Sequence, residues 1–519
     1  MSTGARRGCG HEPLDLLQLN TRVWVRQLAV ARLGEVPDAV LDAIAADGFD
    51  LVWLMGVWAP SVRAAEVARS HPDLQAEYRR ALDDLTPEDV VASPYAIARY
   101  EVSPLLGGAG DLAALRARLR ARGVGLILDF VPNHTACDHP AVSASPEHFM
   151  LAQADAPASE TFVGAPGGPR IFCGRDPYFP PWTDTAQRDH RRHSSRRALV
   201  DELARVAEQC DGVRCDMAML LLNDVVERTW QRAGVVAPPA HDLAQGEFWP
   251  MAIDAVRARR PDFLFLAEAY WGTGPRLRQL GFDYTYDKES YDALLAGDGA
   301  ALTHHLAGAG GAPAVRFIEN HDEPRAASHF PADLHRVAAL VALTLPGVRL
   351  MHQGQREGAR RKLPVQLGRA PVEPVDGALA TFYRELRALV ADPVLRAGRW
   401  QLLSPQPAWH GNGSHAGFVT CAWDRTGSGA GGAGHRLLVA NLAAHRAQCR
   451  ISLAALPGLA GRRVAVREIF AAGDSPSGDA ATADGRPVYL RDGDELAGAG
   501  LFVELPARTA QVCAVEPTS

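Results

Sequence analysis

The sequence predicts a (β/α)8 barrel followed by an antiparallel β-sandwich, and three observations carry that expectation. Eight short apolar runs recur over roughly the first 390 residues, mostly separated by stretches of helical spacing. These runs are apolar almost throughout, as parallel strands covered on both faces must be. Beyond residue 392 the helical spacing gives way to alternating runs split by glycine-rich turns. An open doubly wound sheet would carry a glycine-rich phosphate turn after its first strand, and none stands there.

The elements follow in order. LLQLNTRVWV reads as the first buried strand. Pro37 then opens a helix, with Val40, Leu41 and Ile44 on one face and Gly48 as the stop. FDLVWLMGV (49–57) is the second strand. Asp111 is placed to cap a helix that turns Leu112, Leu115 and Leu119 inward and ends at Gly123. VGLILDFV (124–131) is the third strand. The helix SRRALVDELARVAEQC precedes DGVRCDM, and WPMAIDAVRARR precedes FLFLAEAY. FDYTYD, then VRFIENHD, the helix DLHRVAALVALTL and PGVRLMHQG close the series. Past the barrel, GFVTCAWD, HRLLVANLA, CRISLAAL, RRVAVREIF, GLFVELPA and TAQVCAVE alternate as sandwich strands.

A chain of 519 residues is too long for one core. The expected division is a barrel over 1–131 and 191–392, a loop-rich insert over 132–190, and a sandwich over 393–519. About 60 residues separate the third strand from its helix, and so long an excursion is usually functional or a small inserted domain. The turns TGSGAGGAG and AGDSPSGDA read as flexible links.

Composition excludes several classes. The formal net charge of -6 offers no basic stripe for nucleic acid. Lys288 and Lys362 are the only lysines, so arginine carries the positive charge, which reads as a coding bias. The eight cysteines are dispersed without CxxC spacing, against a disulfide framework or zinc ribbon. No apolar run is long enough to span a membrane or serve as an export signal, so a cytoplasmic enzyme is expected.

Polar residues gather where the apolar runs end, and barrel enzymes keep their sites at the C-terminal ends of strands. LILDFVPNH supplies Asp129, Asn133 and His134; DGVRCDM supplies Arg214 and Asp216. FLAEAY supplies Glu268, and FIENHDEPR supplies Asn320, His321, Asp322 and Arg325. Charges seldom interrupt apolar strands unless paired or used. These four segments, in this order, resemble the signature regions of the α-amylase superfamily (glycoside hydrolase family 13). SPYAIARYEVSPLLGG (93–108) resembles the family's stretch after the second strand, which carries a sugar-stacking tyrosine.

Retaining cleavage of a glycosidic bond needs two carboxyl groups about 5–5.5 Å apart. Asp216 suits the ionised nucleophile, because Arg214 lies two positions away on the same strand face. Glu268 suits the proton donor, because Leu266, Ala267 and Ala269 imply an apolar setting that keeps a carboxyl protonated. The resemblance implies that Asp322 is the third carboxylate, holding two sugar hydroxyls. It implies that His134 and His321 bond the same sugar, and that Tyr95 stacks beneath it. Asp129 is expected to brace Arg214, and Arg325 either contacts substrate or anchors its loop. Asn133 either orients its loop or ligates calcium. Asp184, Gln187 and Asp189 are candidates for the loop bordering the acceptor side, and His304 with His305 reads as a solvated helix end.

The sequence departs from the family's secreted members after the nucleophile. Met219 and Leu220 stand where those carry a Lys-His pair that lines the acceptor side and helps hold calcium. No metal or cofactor is therefore expected, and the acceptor side is expected to be apolar. The reading is a retaining hydrolase of short α-glucans or α-glucosides. The alternatives are a transglycosylase or phosphorylase sharing the nucleophile, and a non-catalytic carbohydrate-binding scaffold. The complete carboxylate set argues against the scaffold.

Overall fold

The computed structural model describes residues 13–309, 313–425, 434–473 and 486–518. Cys9 and most of the two glycine-rich turns lie outside these residues. Eight parallel strands close a barrel: β1 (Leu14–Asn20), β2 (Leu51–Met55), β3 (Gly125–Phe130), β4 (Gly212–Cys215), β5 (Leu264–Ala267), β6 (Tyr284–Tyr286), β7 (Ala314–Arg316) and β8 (Val348–His352). Each neighbours the next in chain order, and β1 meets β8. The helices after them are α1 (Asp38–Ala46), α2 (Gly108–Ala121), α3 (His193–Ala207), α4 (Phe248–Arg257), α5 (Gly274–Gln279), α6 (Lys288–Ala296), α7 (Ala332–Thr344) and α8 (Gly377–Val390).

Three local expectations are corrected. The run LLQLNTRVWV is not one strand. The Asn20 side chain accepts the Val23 N–H at 3.4 Å and starts the helix Thr21–Gln27, so TRVWV is helical. Asp111 does not cap α2, which starts at Gly108 behind Gly107 at φ 93°. Asp111 lies in the first turn, where an anion opposes the helix dipole, and its carboxylate fills the space that a Cβ on Gly107 or Gly34 would need. The third correction concerns the segment after β2, which is also a long excursion. The hairpin Trp58–Pro60 with Ile97–Val102 and the helices Val62–Ser70 and Pro72–Ala81 intervene before α2. Its helical spacing resembles an ordinary barrel crossover, which hid it in the sequence.

The segment after β3 folds around short pairings. His134–Ala136 pairs with Thr185–Gln187, and Thr161–Val163 with Arg170–Phe172. Val142, Phe149, Ile171 and Ala186 make its small core.

By compactness the chain divides into Leu16–Tyr286 with Arg361–Glu373, and Asp287–Arg360 with Pro374–Ser519; Asp15 goes with the second unit. The second unit carries two antiparallel sheets. The strands are β9 (Arg399–Leu403), β10 (Gln406–Pro407), β11 (Phe418–Arg425), β12 (Gly434–Asn441), β13 (Ala447–Ile451), β14 (Arg463–Ala472), β15 (Val488–Asp492), β16 (Leu501–Leu505) and β17 (Thr509–Pro517). One sheet runs β9-β11-β12-β17-β14-β15 and the other β10-β13-β16. Leu437, Val439, Ile451, Val464, Val503 and Val515 pack in the core they share. Strands such as β16 alternate buried and exposed positions, as one-sided sheets require.

Candidate active site

The site in the first unit is built around Arg214. Gly212 lets β4 lie close to its neighbours, since a Cβ there would meet Leu264 Cβ at 2.7 Å and Ile127 Cδ1 at 2.8 Å. The parallel register sets Arg214 level with Asp129 on β3 and Leu266 on β5. Arg214 is 1 % exposed, and its guanidinium must find its partners inside the barrel. Nη1 donates to Asp216 Oδ1 at 2.7 Å and lies 3.7 Å from Asp129 Oδ1. Nη2 meets Glu268 Oε2 at 2.9 Å. Nε donates to the Tyr286 hydroxyl at 3.4 Å. The rings of Trp53, Tyr95 and Tyr286 have their centroids 5.2, 5.2 and 5.7 Å from the guanidinium carbon. Burial opposes this charge, yet Glu268, Tyr286, Tyr95 and Asp216 hold its pKa well above the ordinary value.

Glu268 does not sit in an apolar setting. Ala267 and Ala269 flank it along the chain, and strand alternation sends neighbouring side chains to the opposite face. The carboxyl meets Arg214, accepts the Met217 N–H on Oε2 at 2.6 Å, and accepts the Tyr270 hydroxyl on Oε1 at 3.0 Å. Asp129 is fully buried, and burial raises its carboxyl to about 7 against the pull of Arg214. Asp129, Asp216, Glu268 and Tyr95 are thus gathered around Arg214.

His134 and Asn133 stand at the start of the insert. Burial lowers the His134 pKa, and its ring lies 5.0 Å from that of Trp182. Asn133 braces the loop: its Oδ1 accepts Gln187 Nε2 at 3.0 Å, and its Nδ2 lies 3.3 Å from His134 Nδ1. Of the residues expected to border the acceptor side, Gln187 and Asp189 are fully buried. Gln187 is bound to Asn133, and Asp189 to Arg191 at 2.8 Å and Arg192 at 3.3 Å. Met219 and Leu220 are likewise buried, in the turn Ala218–Leu221, so they do not present the apolar acceptor surface expected of them.

In the second unit, the segment after β7 carries the remaining candidates. Asn320 Oδ1 accepts the N–H groups of Asp322 (2.8 Å) and Glu323 (2.9 Å), folding a tight turn. That turn leaves the Asp322 carboxylate partly exposed, 3.1 Å from His321 Nε2. Arg325 is buried, pairs with Glu319 at 3.1 Å and donates to the Gln353 carbonyl at 2.8 Å. The anchoring alternative for Arg325 is therefore the one its contacts support. Glu319 was missed; its signal is a carboxylate inside the apolar run FIE. His305 is not a solvated helix end, because its Nε2 lies 2.7 Å from Asp287 Oδ1. Asp287, Glu289 and His305 form a group of metal-ligating type among the described residues, but Arg316 and Ser290 already engage Asp287. The seven described cysteines are buried and free.

No family model matches the chain. A curated relative, alpha-amylase MalA of Haloarcula japonica, is 28% identical over 274 residues, which cover 50% of this chain and 36% of the relative. The chain therefore matches well under two thirds of that protein. The maltogenic alpha-amylase AmyB of Thermotoga neapolitana shares the fold at TM-score 0.63 and 17% identity, with 98% of this chain and 99% of that one covered. The alpha-amylase of Geobacillus thermoleovorans, solved with acarbose, gives 0.61 and 16%, with 98% and 99% covered. The debranching enzyme of Nostoc punctiforme gives 0.61 and 15%, with 97% and 98% covered. Among the described residues no helix is long and apolar enough to cross a membrane. The chain is thus similar in sequence, over half its length, to a curated alpha-amylase, and it shares its fold with solved alpha-amylases.

Proposed function

We propose that this chain is a retaining glycosidase acting on short α-glucans or α-glucosides through a covalent glucosyl–Asp216 intermediate. The observation that carries the reading is one buried guanidinium, Arg214, bridging two carboxylates within 3 Å of it, Asp216 and Glu268. Arg214 Nη1 donates to Asp216 Oδ1 and fixes the carboxylate, which attacks the anomeric carbon. Glu268 donates a proton to the leaving oxygen and then takes one from the incoming water. Arg214 and Met217 hold Oε2 of Glu268, so Oε1, beside the Tyr270 hydroxyl, is the oxygen that carries the proton. Tyr95 and His134, in the same unit, take further contacts of the sugar. Asp129 keeps Arg214 in place and does not touch the reacting atoms.

Incubation with maltotriose, sucrose and trehalose separately, with products followed by proton NMR, tests this. The α-anomer appearing first from any of them supports retention at an α-linkage. First appearance of the β-anomer sinks the covalent intermediate. Folded protein that cleaves none of them sinks the glycosidase reading and favours a carbohydrate-binding scaffold. Glucosyl transfer to added glucose or phosphate, exceeding hydrolysis, turns the reading to a transglycosylase or phosphorylase.

A further inference from the structure

The His134 imidazole is held closely on two sides. A Cβ on Gly174 would meet His134 Cβ at 3.0 Å, and the Trp182 ring stands 5.0 Å away between centroids. Burial lowers the ring's pKa, while the Asp216 charge and the Tyr95 carbonyl pull the other way. A neutral imidazole carries one proton, and the partner of one nitrogen decides which nitrogen holds it.

That partner traces back to the backbone through two side-chain amides. Gln187 has no exposed surface and stands opposite His134 where His134–Ala136 pairs with Thr185–Gln187. Its Nε2 donates to the carbonyls of Asn133 at 2.9 Å and Arg188 at 3.1 Å, which can only accept. Its Oε1 accepts the Arg175 N–H at 3.3 Å, which can only donate. The backbone therefore allows this amide one orientation. Nε2 also donates to Asn133 Oδ1 at 3.0 Å, and Oε1 accepts Asn133 Nδ2 at 3.3 Å, so the second amide inherits its orientation from the first. Asn133 then turns Nδ2, a donor only, to His134 Nδ1 at 3.3 Å. Nδ1 has to accept, and the proton is left to Nε2.

We propose that Gln187 and Asn133 are positioning residues that lock His134 as its Nε2–H tautomer, so that the ring meets the sugar as a hydrogen-bond donor and not as an acceptor. Both act through His134. The ligand group is a hydroxyl oxygen of an α-glucoside, and that half of the inference rests on the glycosidase reading above.

The lock is read in the free protein by nitrogen-15 NMR of the histidine rings, which separates a protonated ring nitrogen from a bare one; His134→Gln identifies the signal. Nε2 protonated and Nδ1 bare is the expected result. A proton on Nδ1, or an even mixture, overturns the lock. Asn133→Asp sets a carboxylate oxygen, which can only accept, against Nδ1 and should move the proton there. Gln187→Met removes the group that orients Asn133 and should let the Nδ1–H form appear, and it carries the comparison if Asn133→Asp does not fold. A folded variant of either kind that keeps Nε2–H alone overturns the relay. The sugar contact is read with maltotriose in Asp216→Asn, where binding should shift the Nε2 signal. Adding Asn133→Asp should weaken calorimetric affinity about tenfold, the order of one hydrogen bond. A moved proton with unchanged affinity overturns the donor role. If maltotriose does not bind Asp216→Asn at all, the glycosidase reading fails by itself; Nε2–H in the free protein then still supports the lock, and Nδ1–H overturns it.

Discussion

Met217, the residue after Asp216, donates its N–H to Glu268 Oε2 at 2.6 Å from a left-handed backbone of φ 43°. The two candidate catalytic segments are therefore joined by a hydrogen bond from the backbone N–H of Met217 to the Glu268 carboxylate as well as through Arg214. A β-branched residue at 217 is disfavoured at that φ, at a cost on the order of 1–2 kcal/mol. Met217→Val is expected to lower kcat while leaving KM nearly unchanged, because it loosens Glu268 and not the sugar contacts. Steady-state kinetics on maltotriose checks this, and an unchanged kcat argues that the bond does not position the donor.

Asp216→Asn keeps the shape of the nucleophile and removes its charge. Turnover should fall to near background while oligosaccharide binding persists, read by calorimetry beside an activity assay. Wild-type rates in this variant would take Asp216 out of the nucleophile's role.

Glu268→Gln should cost roughly 10²–10⁴-fold on substrates with poor leaving groups, the usual worth of a positioned general acid. The loss should shrink markedly with an activated aryl α-glucoside, which needs no protonation. A loss independent of the leaving group would mean that Glu268 acts by another route.

Asp129 links pH to stability. Burial raises its pKa from 3.8 to about 7 in the folded protein. Between those values the folded state keeps a proton that the unfolded state has released, so this group's contribution to stability falls as pH rises through that window and levels off above it. Asp129→Asn mimics the protonated form and should flatten that fall. Thermal unfolding of both proteins at pH 4.5 and pH 7.5 measures it; a Tm difference between variant and wild type that is the same at both pH values would contradict the shift.

Asp15 has no exposed surface and meets Arg349 at 2.8 Å, Arg387 at 2.5 Å and Arg396 at 3.4 Å. Removing its charge takes the shared carboxylate from buried guanidinium groups, which costs about 3–5 kcal/mol when a buried pair is broken from one side. Asp15→Asn should therefore lower Tm clearly. A Tm within a degree of wild type would show that the arginines reorganise.

The sequence by itself determined the order of the barrel strands and which chemical groups arrive at their ends. Parallel strands buried on both faces must be apolar, so Asp129, Arg214, Asp216 and Glu268 stand out where they break the runs. The alternation of the C-terminal strands likewise made the sandwich legible, because each of its sheets covers a core on one face. Tertiary structure decided what those groups meet. Glu268 looks apolar along the chain because its sequence neighbours are alanines, but Arg214 on β4, Met217 in the turn after it and the Tyr270 hydroxyl are its partners. Gln187 and Asp189 carry no local mark of burial. Arg325 and His305 have partners 6 and 18 residues away that periodicity does not reveal. Trp271 and Tyr178 lie far apart in sequence, and only the folded chain brings those rings together.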